Sequence, residues 1–145
     1  MTAPQIYVSF PGTAREALSF YADVFGGELF LHSYEDFGRK DGPPDAIAHG
    51  VLKGVVAVAG SDAAEGQNSV RLQGVMLSLL GTAEPGILHE WFDKLAVNGR
   101  VVDPLGPKPW GASDGQVIDQ HGLHWLVGYE SGLEPADPVQ EGQPA

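Results

Sequence analysis

The sequence predicts an α+β domain built from two βαβββ modules in tandem, and three observations carry that expectation. Short runs of alternating apolar and polar residues mark strands. Two longer stripes of period 3.6 mark helices, and the order strand, helix, three strands occurs twice. At 145 residues the chain has room for one contiguous core, because domains run about 100–200 residues. The domain is expected over residues 1–130, as modules at about 5–62 and 69–130, with a mobile acidic tail at 131–145.

The first strand runs from Gln5 to Phe10. Alternation sets Ile6, Val8 and Phe10 on one face and Gln5, Tyr7 and Ser9 on the other. Pro11-Gly12 ends it, and Thr13 with Glu16 has the spacing of a capping box. The helix that follows carries Ala14, Ala17, Leu18, Tyr21 and Phe25 on one stripe and stops at Gly26-Gly27. A second strand is expected from Glu28 to Tyr34, then a Gly/Pro-rich loop from Asp36 to Asp45. Ala46 to Leu52 and Val55 to Ala59 read as a hairpin turning at Lys53-Gly54, and Ser61 to Gln67 as a polar connector.

The second half follows the same order. Arg71 to Leu80 reads as a strand, and Thr82-Ala83-Glu84-Pro85 opens a helix with proline in its first turn. Its apolar stripe is Leu88, Trp91, Phe92 and Leu95, and Asn98-Gly99 closes it. A short strand near Arg100 to Asp103 and a Pro/Gly-rich segment lead to a hairpin. That hairpin pairs Gly115 to Asp119 with Leu123 to Tyr129 across Gln120-His121-Gly122. Trp91, Phe92, Phe20 and Trp125 are assigned to the core.

Composition narrows the function. Nineteen acidic residues against eight basic ones leave a formal charge of −11, which repels phosphate backbones and anionic membranes; no nucleic-acid or membrane partner is expected. The absence of cysteine removes disulfides, thiolate metal sites and thiol nucleophiles. No apolar run approaches the roughly 20 residues that span a bilayer, and a cytoplasmic location is expected.

Two segments resemble a known family. Tyr7-Val8-Ser9-Phe10-Pro11-Gly12-Thr13 through Phe20-Tyr21, with Val24-Phe25-Gly26-Gly27, is similar to the opening of PhnB-like proteins. Trp110-Gly111-Ala112, Gly115-Gln116-Val117-Ile118-Asp119 and Gly122-Leu123-His124-Trp125 resemble their closing hairpin. His49-Gly50-Val51-Leu52 and Gly60-Ser61-Asp62 are similar to the middle of that family. The resemblance implies the vicinal-oxygen-chelate superfamily, which contains glyoxalases, extradiol dioxygenases and antibiotic-binding proteins. It implies curved mixed sheets around a cleft, and a homodimer. PhnB-like proteins are often labelled methyltransferases, but no strand here leads into a Gly-rich turn suited to S-adenosylmethionine.

The resemblance also implies where a divalent metal would sit. Metal-dependent relatives draw ligands from the first and last strand of each module. Here Gln5 falls near the first position, Val55 to Ala59 near the second, Val75 near the third and Leu126 near the fourth. One weak donor cannot hold a divalent ion against water. The family's metal is therefore disfavoured and no cofactor is expected.

Among the histidines, His49 matches a family-typical strand position, with Ile47 and Val51 on its face, and is the candidate general base. His124 has the parity expected for a cleft. His32, His89 and His121 read as surface residues on a strand, a helix and a turn. The other candidate ligand-binding residues are Gln5, Tyr7, Arg71, Trp110 and Gln116. Three functions stay open: a metal-free cleft that holds a small organic molecule, a lyase, isomerase or resistance-type enzyme using His49, and a dimeric interaction module. The first is the leading expectation.

Overall fold

A computed structural model describes residues 3–130; the expected tail at 131–145 lies outside the described residues. The chain divides into two compact units, Met1–Arg71 and Leu72–Ala145. Each contains one helix and one four-stranded sheet with both parallel and antiparallel pairs.

The first unit contains β1 (Tyr7–Phe10), α1 (Ala14–Phe25), β2 (Glu28–Ser33), a short 3-10 turn (Glu35–Phe37), β3 (Ile47–Lys53) and β4 (Val58–Asp62). Its sheet has the order β1-β4-β3-β2, with β1 parallel to β4 and the other pairs antiparallel. The second unit contains β5 (Leu77–Leu80), α2 (Pro85–Ala96), β6 (Arg100–Pro107), β7 (Ala112–Ile118) and β8 (His124–Glu130). Its order is β5-β8-β7-β6, with β5 parallel to β8. The two orders correspond strand for strand, which is the predicted repeat.

Each helix covers one face of its own sheet. In the first unit Ala14, Ala17, Leu18 and Tyr21 of α1 are fully buried along with Phe10 of β1 and Leu52 of β3. In the second, Leu88 and Leu95 of α2 are buried with Val117, Trp125 and Val127. Burying each such side chain contributes about 1.5–3 kcal/mol, so these stripes hold helix to sheet. Phe20, expected in the core, is only half-buried.

Several local expectations are corrected. The capping box does not form: the Thr13 side chain makes no capping hydrogen bond. Instead Asp62, at the end of β4, accepts the Ala14 N–H at 2.8 Å and takes over the work of capping. The hairpin does not turn tightly at Lys53-Gly54. Leu52 pairs with Val58, so the loop is longer and β4 starts three residues later than Val55, which is exposed. Gly54 stands against Gly27, where a Cβ on Gly54 would meet the Gly27 Cα at 3.1 Å.

In the second unit, β5 is confined to Leu77–Leu80, and Arg71 to Met76 does not join the sheet. Gly74 has φ +77, a conformation that interrupts an extended chain. β6 is instead longer than expected, reaching Pro107. It is an edge strand with register shifts between Val101 and Asp103 and between Asp103 and Gly106. An edge with bulges is where Pro104 and Pro107 are tolerated, because prolines donate no ladder hydrogen bond.

Candidate functional site

The face of each sheet turned away from its helix carries the candidate side chains. In the first unit, strand register aligns Tyr7 with Ala59, Ala59 with Val51, and Val51 with Phe30, a row across all four strands. Val8, Phe10 and Leu52 point the other way and are buried, which fixes this row on the uncovered face. Tyr7 is 52% exposed, too much for a packing residue of the core.

Tyr7 and His49 meet on that face. Strands β1 and β3 both flank β4, so two strand spacings, about 10 Å, separate their backbones. Ala59, the β4 residue level with Tyr7, carries only a methyl. The Tyr7 Oη lies 2.8 Å from His49 Nδ1. Their rings stack with centroids 5.6 Å apart and planes 7° from parallel. On the same face Lys53 Nζ sits 5.2 Å from the centre of the Phe30 ring, and His32 stacks on Phe37 at 5.7 Å.

One feature of His49's surroundings differs from expectation. Ile47 does not share its face. A register shift lets His32 pair with His49 while Ser33 pairs with Ile47, so Ala48 is bulged and Ile47 turns into the core, fully buried.

The second unit brings together another predicted pair. Gln116 of β7 and His124 of β8 lie on the uncovered face, with Gln116 Oε1 3.0 Å from His124 Nε2. Leu126 pairs with Gln116 directly and Ser78 pairs with Leu126. Trp110 sits in the turn before β7, 54% exposed, and its Nε1 donates to Asp114 Oδ2 at 3.2 Å. Gln5 precedes β1 and is exposed; Arg71 is exposed on a loop rather than on a strand. Neither joins a pair.

These positions allow the metal expectation to be tested on donor chemistry. Gln5 and Val75 fall outside the strands, so the relevant side chains are those of the uncovered faces. On the first and last strand of each unit they are Tyr7 and Ser9 on β1, Ser61 on β4, Ser78 on β5, and His124 and Glu130 on β8; the inner strands add His32 and His49 in the first unit and Gln116 and Asp114 in the second. Apart from His124 and Glu130, the first and last strands offer neutral hydroxyls, which are weak donors for a divalent ion. Among the described residues no group of three or more His, Asp or Glu is placed to hold a metal.

Two residues that the sequence did not mark organise these units. Asp62 is buried and accepts backbone N–H groups from both Ala14 and Ile47. Asp119 is buried and accepts the Trp125 indole N–H at 2.7 Å and the His121 N–H at 2.7 Å. Their signal was positional: each follows the last inward-facing residues of a strand, where a carboxylate is out of place unless it has donors to meet.

Two helix-backed mixed sheets of matching strand order, each with a polar pair on the face turned away from its helix, define a two-module α+β scaffold. The chain belongs to the glyoxalase/bleomycin resistance protein/dioxygenase superfamily, whose family model matches residues 6–127. It is 27% identical over 138 residues to protein YjdN of Escherichia coli, covering 83% of this chain and 90% of that protein. Among solved structures it is similar to protein PA1353 of Pseudomonas aeruginosa, at 33% identity and a TM-score of 0.71, covering 89% and 99% of the two chains. It also shares the fold of a PhnB protein from Bacillus cereus, at 20% identity and a TM-score of 0.73, covering 90% and 100%. Among the described residues no helix is long and apolar enough to cross a membrane.

Proposed function

We propose that this protein binds a small organic molecule, without a metal, on the uncovered face of its first sheet. The observation that carries this reading is the Tyr7–His49 pair: two aromatic rings, hydrogen-bonded at 2.8 Å and stacked, on an exposed sheet surface. Val51, Ala59 and Phe30 supply apolar surface beside it, and the paired rings supply one oriented donor and acceptor. A few placed polar groups on an apolar wall are what small-molecule sites use to fix orientation. The same hydrogen bond favours a second reading, in which His49 acts as general base, directly or through the Tyr7 hydroxyl. The protein acts as a cytoplasmic homodimer in this proposal, with a solution mass near twice 15.3 kDa.

The test is a thermal-shift screen of hydrophobic antibiotics and small metabolites, repeated with Tyr7→Phe and His49→Ala. A ligand at 100 times its Kd stabilises the folded state by about 2.7 kcal/mol, enough to raise the melting temperature measurably. Compounds that stabilise the wild type and lose that effect in both variants support the site. Compounds equally effective on all three proteins place binding elsewhere and overturn the reading. Chemical conversion of a bound compound that stops in His49→Ala supports the catalytic alternative.

A further inference from the structure

Charge is distributed unevenly between the two uncovered sheet faces. On the strands of the first, the ladder sets Lys53, His49 and His32 against a single carboxylate, Glu28, which pairs with Lys53 at the end of β2 away from His32. Asp62 of β4 pairs with Phe10 and faces the helix instead. Asp36, in the turn that follows β2, is tied to Ser33 by two hydrogen bonds. On the second sheet three carboxylates, Asp103, Asp114 and Glu130, share the uncovered face with Arg100 and His124. In a chain with nineteen acidic and eight basic residues, the shortage of carboxylates on the first face departs from the overall composition.

Lys53 is not neutralised there. Arg39, Lys94 and Lys108 are each bound to a carboxylate, at 2.7, 3.0 and 3.0 Å. Among the described residues Lys53 makes no ion pair, even with Glu28 directly across the ladder. Its Nζ lies instead 5.2 Å from the centre of the Phe30 ring, and Phe30 pairs with Val51, midway between Lys53 and His49 on β3. Four residues of strand separate Lys53 from His49, about 13 Å between Cα atoms, and the two side chains take up part of that interval. Tyr7 Oη engages His49 at Nδ1, so Nε2 is the ring nitrogen left for a ligand. When the phenol donates to Nδ1, the neutral ring carries its proton on Nε2 and donates outward.

We propose that the ligand of this face is an organic anion: a carboxylate or comparable acid that meets Lys53, on an apolar body that lies over Phe30 and Val51 toward His49. The inference rests on the Tyr7–His49 reading and adds to it the sign of the charge. A lysine ammonium and an imidazole N–H both call for an acceptor, and a charged acceptor makes the stronger bond. A cation would find only Glu28 on these strands, and Lys53 already occupies the Phe30 ring. The formal charge of −11 repels an anion at long range, but salt screens that field beyond about 8 Å, so the groups within the site decide.

The test is a titration of the full-length 15N-labelled chain with indole-3-acetate, tryptophol and tryptamine, which share a ring system and differ in the charge of the arm. Saturable amide shifts from indole-3-acetate are expected around Phe30, His49, Val51 and Lys53, with tryptophol weaker by about threefold to fivefold and tryptamine weakest. Lys53→Gln should weaken indole-3-acetate to the level of tryptophol and leave tryptophol itself unchanged, a split that a mere loss of packing would not produce. Glu28→Gln should tighten indole-3-acetate by about twofold. Tryptophol or tryptamine binding as tightly as the acid, with shifts still centred on His49, overturns the anion and leaves the Tyr7–His49 site standing. Shifts from all three compounds centred away from Tyr7 and His49 overturn that site and this proposal with it. Indole-3-acetate without a saturable shift on this face also overturns the proposal.

Discussion

Asp62 Oδ1 accepts the backbone N–H of Ala14 at 2.8 Å, which ties the end of β4 to the first residue of α1. Its second oxygen accepts the Ile47 N–H, also at 2.8 Å, where β3 begins. One buried carboxylate thus closes three chain segments that are distant in sequence. Removing it leaves two backbone donors in a buried site, and each hydrogen bond to a charged group is worth about 1.5–3 kcal/mol. Asp62→Ala should therefore cost about 3 kcal/mol or more in urea unfolding. Thr13→Ala, which removes a side chain that makes no cap, should cost less than about 0.5 kcal/mol. The opposite ranking would restore the capping box as the true start of the helix.

The second unit uses an acid in a related way. Trp125 is almost fully buried, and its indole N–H donates to Asp119 Oδ2 at 2.7 Å. Asp119 Oδ1 meanwhile accepts the N–H groups of His121 and Leu123, which shapes the β7–β8 turn. Asp119→Ala should destabilise the protein by about 2–4 kcal/mol and speed exchange of the Trp125 indole proton. Asp119→Asn keeps one carbonyl acceptor and should lose less than Asp119→Ala. Equal losses in both variants would mean that charge, rather than acceptor geometry, holds the turn.

The contrast between legible and hidden features follows from how far apart the interacting residues lie. Alternation in Tyr7-Val8-Ser9-Phe10 and the stripe Leu88, Trp91, Phe92, Leu95 are local patterns, and the structure buries the residues they select. Parity alone also put Tyr7 on the uncovered face. The capping of α1 by Asp62 could not be read, because the partner lies 48 positions away. The later start of β4 was hidden for the same reason: the pairing of Leu52 with Val58 fixes the loop, and no local rule contains it. The bulge at Ala48 is a third case, since a single inserted residue reverses the parity on which the placing of Ile47 beside His49 depended.

Acidity should act on the turn after β2. Asp36 Oδ2 accepts the Ser33 N–H at 2.8 Å, while the Asp36 N–H donates to Ser33 Oγ at 3.1 Å. The backbone hydrogen bond from Ser33, then the contact with its side chain, holds the Asp36 carboxyl below the usual carboxylate range; His32 and Arg15 add smaller attractions. A carboxyl that is more acidic in the folded state favours folding above its ordinary titration range, and that contribution disappears as pH falls through its folded value. Carbon-detected NMR titration should show Asp36 titrating below the ordinary aspartate range. Ser33→Ala removes the hydroxyl and should move Asp36 only part of the way back, because the backbone donor remains. A full return would assign the shift to the hydroxyl.

Close approach of β1 to β4 depends on a residue without a side chain. Gly60 pairs with Val8 in the parallel ladder, and a Cβ there would collide with the Val8 carbonyl and lie 2.8 Å from the Phe10 ring. The carbonyl belongs to the backbone and Phe10 is fully buried, so neither can yield without moving β1. Because Tyr7 precedes Val8 on the same strand, such a movement also disturbs the Tyr7–His49 contact. Gly60→Ala should therefore destabilise the protein by about 2–3 kcal/mol and weaken binding of any ligand that depends on Tyr7. Gly106 provides the control. Its backbone does not have positive φ and a Cβ there meets nothing within 4 Å, so Gly106→Ala should be neutral or stabilising by up to about 1 kcal/mol. Urea unfolding of the two variants checks the pair; similar behaviour would mean that β1 and β4 have slack to absorb a methyl group.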